Sequence, residues 1–152
     1  MRTVLFICTG NTCRSPMAEG IAQKLADDGR FPKDVGQLFF ASAGVSAFDG
    51  ASTSHETVEV LERMKAPVPE HSKRLTAEMV RKADLVLGMT EAHVARARAL
   101  VAGDAEAQSK VQPLDPDGDV GDPIGMGQRA YDELGAYFAE LIPARIAEML
   151  KP

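Results

Sequence analysis

Four short apolar runs along the chain predict buried β-strands. Thr3–Cys8 is continuous and rich in β-branched residues, a pattern typical of a strand that is covered on both faces. Similar runs occupy Leu38–Ala43, Asp84–Met89 and Val111–Leu114, and Pro113 favours an edge position or a strand end for the last. Because strands buried on both faces are typical of parallel sheets, we expect a four-stranded parallel sheet.

Helical patterns fill the segments between these strands. The first helix should begin near Pro16 and end near Gly29. Its buried stripe has the spacing i, i+3, i+4, i+7 and consists of Ala18, Ile21, Ala22 and Leu25. Thr53 and Glu56 have the spacing of a capping box, which predicts a second helix that stops at Pro67.

Three more helices follow from caps and periodicity. Thr76 and Thr90 can cap helices that run to about Lys82 and Val101. The last helix has one apolar face, and Pro143 should kink it. That face consists of Tyr131, Leu134, Phe138, Leu141 and Ile142. Alternating strands and helices predict right-handed βαβ units. We therefore expect an α/β fold, in which a single doubly wound domain covers residues 1–152.

Composition and charge narrow the functional class. The chain has 152 residues, and its share of hydrophobic residues, 45%, is that of an ordinary globular domain. A formal net charge of −5 argues against a general nucleic-acid or membrane binder. No apolar run has the length of a signal-peptide core or a membrane span. Two cysteines cannot frame a secreted disulfide scaffold, so we expect a cytoplasmic protein. We also expect a monomer or a weak dimer.

The loop after the first strand carries the clearest chemistry. Cys8 ends the strand and Arg14 stands at the head of the predicted helix, with five small or polar residues between them. Ligands of open α/β sheets bind beyond the carboxyl ends of the strands. Backbone N–H groups of such a loop, together with the helix dipole, form a cradle for an oxyanion. The residues expected to bind phosphate are Thr9, Gly10, Asn11, Thr12, Cys13, Arg14 and Ser15.

Cys8 is the candidate nucleophile in this loop. The field that attracts phosphate also favours the thiolate form of its side chain, and a thiolate beneath a phosphate is directed at phosphorus. Arg14 can bind two phosphate oxygens at once, and Ser15 can donate a hydrogen bond to the thiolate. A cysteine at a strand end is by itself most often a small buried apolar residue. The complete Cys-x5-Arg-Ser pattern favours chemistry instead.

Other ligands of this loop fit the sequence less well. A nucleotide-binding loop would need Gly-Lys-Ser/Thr, and a dinucleotide fingerprint would need more glycines than Gly10 alone. A zinc site that combined Cys8 and Cys13 with one of the three histidines would lack the usual ligand spacing. We therefore expect neither a cofactor nor a metal.

Hydrolysis of a phosphomonoester also needs a proton donor for the leaving group. The loop after the fourth strand holds two Asp-Pro pairs, Asp115-Pro116 and Asp122-Pro123, at the same edge of the sheet as the cysteine loop. A calcium loop is excluded there, because Val120 and Met126 stand where glycine and glutamate would be needed. Spacing alone leaves both aspartates open as the general acid.

The sequence resembles the low-molecular-weight protein tyrosine phosphatase family through nearly its whole length. The strongest likeness is the run Cys8–Ser15 (CTGNTCRS), which is followed by Pro16-Met17-Ala18-Glu19. The likeness continues through Ser42-Ala43-Gly44, His71-Ser72, Leu75-Thr76, Ala83–Leu87 and Asp122-Pro123-x-Gly125. The resemblance implies a cysteine that is phosphorylated, an arginine that binds phosphate, and an Asp-Pro aspartate that acts as general acid and then as general base.

These implied roles fall on Cys8, Arg14 and Asp122. The resemblance further implies that Asn11 holds the shape of the loop and that His71 belongs to the hydrogen-bond network around it. Without the resemblance, His71 would be interpreted as a surface histidine. Phosphorylated proteins are the implied substrates, and inorganic phosphate or another oxyanion should bind in the loop.

Two positions bear on the substrate residue. Thr12 stands where many tyrosine phosphatases of the family carry an aliphatic residue, and Ile124 follows Asp-Pro where they carry an aromatic one. A pocket without aromatic walls is less suited to the phenyl ring of phosphotyrosine. Threonine at this position is similar to the bacterial protein arginine phosphatases, and Leu75–Val94 resembles that branch, although Ile124 also departs from it. We favour phosphoarginine, with phosphotyrosine as the alternative.

Three other functional classes are alternatives to a phosphatase. An arsenate reductase would need further redox cysteines, and a sugar-phosphotransfer protein would have no use for Asp122 as an acid. A non-catalytic phosphoprotein-binding module would differ only in lacking turnover. Cys13 adds one expectation, a reversible disulfide with Cys8 that would protect the nucleophile from oxidation. The alternative is that Cys13 merely packs beneath the loop.

Overall fold

A four-stranded parallel sheet forms the centre of the molecule. In this computed structural model, which describes residues 1–150, the strands are β1 (Arg2–Cys8), β2 (Leu38–Gly44), β3 (Leu85–Gly88) and β4 (Val111–Pro113). Their order across the sheet is β2-β1-β3-β4, and all neighbouring pairs are parallel. The predicted α/β fold with a four-stranded parallel sheet is confirmed.

In the part of the chain that the structure describes, six α-helices connect and cover these strands. They are α1 (Arg14–Asp27), α2 (His55–Arg63), α3 (Ala77–Lys82), α4 (Glu91–Leu100), α5 (Ala105–Ser109) and α6 (Gln128–Met149). A short 3-10 turn at Lys33–Val35 precedes β2. Within residues 1–150, no helix combines the length and the apolar character that a bilayer span requires.

The sheet is buried on both faces, as continuous apolar strands require. Val4 and Phe6 of β1 pack into a core that contains the buried faces of α1, α2 and α6. Leu5 and Ile7 point the other way, into a second core with α3 and α4. The alternation along one strand therefore places helices on both sides of the sheet. The predicted stripe of α1 is fully or almost fully buried in the first core.

Several element boundaries differ from the predictions. Ser54, not Thr53, caps α2, because Ser54 Oγ accepts the N–H of Thr57 while the Thr53 hydroxyl donates to the carbonyl of Pro69. Helix α1 begins at Arg14, two residues before Pro16. Helix α5 was not predicted, and α6 continues through Pro143 as one helix. The caps at Thr76 and Thr90 are confirmed.

The strand order determines where a ligand can bind. Strand β2 pairs with one edge of β1, and β3 pairs with the opposite edge of β1. The carboxyl end of β1 therefore lies at the point where the order reverses, which is the usual ligand crevice of such sheets. Cys8 is the last residue of β1 and stands at this point.

Candidate active site

The loop from Thr9 to Cys13 joins β1 to α1 and is fixed to the segment after β2. The N–H of Val45 donates to Cys8 O (2.9 Å), and the N–H of Ser46 donates to Thr9 O (3.0 Å). A Cβ atom at Gly44 would lie 2.4 Å from Thr9 O, so only glycine permits this close approach. The end of β2 therefore forms one wall against which the loop is shaped.

Asn11 is the buried centre of the loop. Its φ of 57° places it in the left-handed region, which asparagine tolerates better than most residues. Its Nδ2 donates to Ser15 Oγ (2.8 Å) and to Ser42 Oγ (3.0 Å), while its Oδ1 accepts the N–H of Lys73 (2.8 Å). One side chain thus joins the loop, the start of α1 and two neighbouring segments.

Two donors converge on the sulfur of Cys8. Because Ser15 Oγ already accepts from Asn11, its own proton is free for Cys8 Sγ, which lies 2.8 Å away. The N–H of Asn11 also points at this sulfur, at 3.3 Å. Cys8 is buried and adjoins the N-terminal turn of α1, whose dipole favours negative charge. Two hydrogen-bond donors and the N-terminal end of a helix therefore surround this sulfur.

Arg14 is the buried cation of the site. Its Nη1 donates to the carbonyl of Val120 (2.9 Å), and its Nη2 lies 3.5 Å from Asp122 Oδ2. Asp122 is much more exposed than Arg14, with 44% of its side chain accessible. The guanidinium is therefore held by the loop after β4, at the pocket that also contains Cys8.

A pocket of about 220 Å³ brings these groups together. Its lining consists of Cys8, Thr9, Gly10, Thr12, Cys13, Arg14, Asp122 and Ile124, which include no aromatic residue. Asp122 thus lies with the cysteine, whereas Asp115 lines a neighbouring groove and receives hydrogen bonds from Tyr137 and from the N–H of Asp117. Of the two aspartates that spacing left open, only Asp122 lines the pocket.

His93 is a further residue at this site, and it was not predicted from the sequence. It is buried on α4, and its Nε2 lies 2.8 Å from Thr9 Oγ1. Burial, and then the positive charge of Arg14, lower the pKa of His93 to about 4. Its position three residues after Thr90, at the carboxyl end of β3, was the available signal.

A search against protein-family models agrees with this geometry. The model described as "Low molecular weight phosphotyrosine protein phosphatase" matches residues 3–150. The chain belongs to this family.

Named relatives within the family differ in the substrate residue that they dephosphorylate. The protein-arginine-phosphatase of Bacillus subtilis (strain 168) is 33% identical over 154 residues, which cover 97% of this chain and 96% of the relative. The low-molecular-weight protein-tyrosine-phosphatase PtpB of Staphylococcus haemolyticus is 34% identical over 122 residues, with 80% and 81% covered. This chain is therefore a protein phosphatase, and the names alone do not choose its substrate residue.

A solved structure shows the same fold. It is a YwlE arginine phosphatase, a cysteine-to-serine mutant whose title describes a phosphorylated active-site serine. It is 31% identical to this chain and has a TM-score of 0.83, with 97% of this chain and 95% of that chain covered.

The expectation for His71 is corrected by the structure. His71 is exposed, and within residues 1–150 its side chain makes no hydrogen bond to the phosphate-binding loop. The contact from this segment comes instead from the backbone N–H of Lys73, which donates to Asn11. The neighbouring Ser72 is buried and binds the loop after β2, because its hydroxyl donates to the carbonyl of Phe48.

Cys13 lies beneath the loop in contact with α6. Its sulfur is 3.4 Å from the hydroxyl of Tyr131, and both cysteines are free thiols. Burial raises the pKa of Tyr131, and its hydrogen bond with Cys13 adds to this effect. The reversible disulfide between Cys8 and Cys13 stays a prediction.

Proposed function

We propose that this phosphatase hydrolyses phosphoarginine in proteins through a cysteinyl-phosphate intermediate. The observation that carries the proposal is the single pocket in which Cys8, Arg14 and Asp122 meet. A nucleophile, a cation and a carboxyl group are the three groups that attack at phosphorus and departure of a leaving group require.

The first step transfers the phosphoryl group to sulfur. The Cys8 thiolate forms the S–P bond while the P–N bond of the substrate breaks, and Arg14 with the loop amides stabilises the charge on the phosphoryl oxygens. Asp122 donates its proton to the departing guanidine nitrogen. The Ser15 hydroxyl, 2.8 Å from the sulfur, stabilises the thiolate before the attack.

The second step returns the phosphoryl group to water. Asp122, now a carboxylate, takes a proton from the attacking water, so that the O–P bond forms as the S–P bond breaks. The thiolate leaves with the Ser15 hydroxyl as its hydrogen-bond donor. Inorganic phosphate is released, and both Cys8 and Asp122 recover their starting states.

Thr12 and Ile124 support phosphoarginine as the substrate residue. Thr12 lines the pocket and brings a hydroxyl to a wall that lacks aromatic rings. A guanidinium group has several N–H donors and can donate a hydrogen bond to this hydroxyl oxygen. A phenyl ring binds best against apolar and aromatic surface. Ile124 is 66% exposed at this pocket and leaves it open on that side.

Phosphotyrosine is the second candidate. It is supported by the relatives that are named protein-tyrosine-phosphatases. For either substrate residue, we infer that the protein acts on phosphorylated proteins in the cytoplasm, where a reducing environment keeps Cys8 and Cys13 as thiols.

The test compares initial rates on two matched peptides, one with phosphoarginine and one with phosphotyrosine. Wild type should prefer phosphoarginine, and Thr12→Ile should shift the ratio of kcat/KM values toward phosphotyrosine by about tenfold, the effect of one lost hydrogen bond. A wild-type preference for phosphotyrosine, or a ratio that Thr12→Ile leaves unchanged, would contradict the assignment.

Turnover itself is tested with p-nitrophenyl phosphate. Pure, reduced wild type should hydrolyse it, and Cys8→Ser should lose at least a thousandfold in rate. A wild type that binds phosphate but hydrolyses neither this ester nor the peptides would instead be a binding module.

A further inference from the structure

His93 connects helix α4 to the phosphate-binding loop. On one side, the ring atom Nδ1 accepts the backbone N–H of Thr90 (3.2 Å). The backbone N–H of His93 donates to Thr90 Oγ1, and these two bonds together form the capping box of α4. On the other side, its Nε2 lies 2.8 Å from Thr9 Oγ1. The imidazole is buried, so these contacts hold it in one orientation.

The backbone of Thr90 determines the tautomer of this ring. The backbone N–H of Thr90 (3.2 Å) can only donate, and the Thr90 hydroxyl (3.0 Å) can donate to Nδ1 as well, so both contacts fit a lone pair on Nδ1 and a ring proton on Nε2. Nε2 therefore donates to Thr9 Oγ1, and the hydroxyl acts as the acceptor in that bond. Burial and the nearby Arg14 lower the pKa of His93 to about 4, which keeps the ring neutral.

The bond from His93 leaves the hydroxyl proton of Thr9 available. Because its oxygen accepts from His93, this proton is free for another acceptor, and none is found for it within residues 1–150. Thr9 lines the same pocket as Cys8 and Arg14. An oxygen of a phosphoryl group in that pocket is an acceptor of the required kind.

We propose that His93 is a positioning residue, which orients the Thr9 hydroxyl so that it donates to the bound phosphoryl group. The inference rests on the proposed function, because it assumes that phosphate binds in this pocket. A helix cap alone explains only Nδ1, since glutamate or glutamine at the same position completes a capping box without a second nitrogen. The contact from Nε2 to Thr9 is what a cap does not require.

The experiment measures the affinity for inorganic phosphate in four proteins: wild type, Thr9→Val, His93→Gln and the double variant. Glutamine preserves the cap and removes the contact with Thr9, and valine preserves the shape of threonine without its hydroxyl. Affinity is measured by calorimetry and by competition against p-nitrophenyl phosphate. Each single variant should bind phosphate about tenfold more weakly, the effect of one charge-assisted hydrogen bond.

The double variant distinguishes positioning from a general role in stability. If His93 acts through Thr9, His93→Gln should cause no further loss in the Thr9→Val background, and the double variant should match the single variants. In a Thr9→Ser background, which keeps the hydroxyl, His93→Gln should again cost about tenfold. The effect should appear in KM and in the phosphate inhibition constant more than in kcat.

Two results would overturn the proposal: unchanged phosphate affinity in His93→Gln, or losses that multiply in the double variant. Failure of the proposed function is seen separately, as a wild type that binds phosphate but hydrolyses no substrate. In that case the phosphate affinities of the four proteins still show whether His93 acts through Thr9. Thermal unfolding of each variant confirms that the compared proteins are folded.

Discussion

Arg14 is held by two protein groups that leave much of its charge available. The carbonyl of Val120 accepts from Nη1, and Asp122 lies at 3.5 Å from Nη2 with nearly half of its side chain exposed. The positive charge of this buried guanidinium is only partly compensated by a neutral carbonyl and one distant carboxylate. Hydrogen bonds to a phosphate dianion would therefore stabilise it strongly. The same pairing brings the Asp122 carboxyl to the pocket where a leaving group would need a proton.

Asp122→Ala should therefore slow the first chemical step most when the leaving group needs a proton. On a phosphoarginine peptide, we expect a loss of about 10²–10⁴ in the single-turnover rate of phosphoryl transfer. With p-nitrophenyl phosphate, whose leaving group departs as a stable anion, the burst of nitrophenolate should change far less. Stopped-flow and rapid-quench measurements on both substrates provide the comparison.

Asp115→Ala is the matched control for this prediction. It removes the other Asp-Pro carboxylate, which lies in the neighbouring groove. Its single-turnover rate on phosphoarginine should stay close to wild type. A large loss in Asp115→Ala together with wild-type behaviour in Asp122→Ala would assign the acid to Asp115.

His93 predicts a pH dependence of stability. A histidine in the unfolded chain titrates near pH 6.5, whereas burial and the charge of Arg14 hold the pKa of His93 at about 4 in the fold, with Arg96 adding to this and Asp119 and Asp122 opposing it. Between these values only the unfolded state binds the proton. The free energy of unfolding contributed by His93 is therefore complete above pH 6.5 and declines as the pH falls toward 4.

The measurement compares urea unfolding of wild type and His93→Gln at pH 6.5 and pH 5. Between pH 6.5 and pH 5, the free energy of unfolding of wild type should fall by about 1–2 kcal/mol more than that of the variant. Other titrating groups, such as the half-buried Glu19, contribute to both proteins and cancel in the difference. Parallel curves would show that His93 titrates normally in the fold.

The histidines also show what the sequence could and could not predict at single residues. The loop Cys8–Ser15 is contiguous, so its chemistry follows from order alone. The roles of His71 and His93 depend on tertiary contacts, and the resemblance pointed to His71, which is exposed, while His93 is buried against Thr9. The cap at Thr90 was predicted, but nothing in the spacing shows where the second imidazole nitrogen of His93 points.

At the scale of elements, β1, its loop and α1 are shaped by contact with the end of β2. Gly44 pairs with Cys8 in the sheet, and its backbone approaches Thr9 so closely that a methyl group has no room. The geometry of the phosphate cradle therefore depends on a residue that itself carries no chemistry.

Gly44→Ala should distort the loop. We expect a loss of about 1–3 kcal/mol in the free energy of unfolding, as is typical of overpacking. We also expect the folded variant to bind phosphate more weakly than wild type does. Gly118→Ala is the matched control, because a Cβ there meets no atom within 4 Å. Chemical unfolding and calorimetric titration with phosphate check both variants. Wild-type phosphate affinity in Gly44→Ala would contradict this account of the loop.

The predictions for the elements succeeded where a pattern was long and failed where it was short or ambiguous. The strands and the buried stripe of α1 follow from continuous apolar runs and helical spacing. Helix α5 has only five residues, too few for a periodic pattern to show. Thr53 and Ser54 are both good capping residues, and only the contact of Thr53 with Pro69 decides between them.

At the scale of the whole molecule, the strand order gathers residues that are distant in sequence. Parallel strands direct their carboxyl ends to one edge, so the loops after β1, β2, β3 and β4 meet around Cys8. The same rule predicts from the sequence that the Asp-Pro segment lies near the cysteine loop. It could not select Asp122 over Asp115, because that choice depends on the path of the loop after β4.

Covalent transfer of the phosphoryl group to Cys8 can be observed by following where that group goes. Wild type and Asp122→Ala are each mixed with a phosphoarginine peptide or with p-nitrophenyl phosphate, quenched within milliseconds and analysed by intact mass and peptide mapping. A phosphoryl group should be found on Cys8, and it should accumulate in Asp122→Ala when p-nitrophenyl phosphate is the donor, because that variant lacks the base for hydrolysis. Turnover without phosphate on Cys8, or undiminished turnover in Cys8→Ser, would contradict the account.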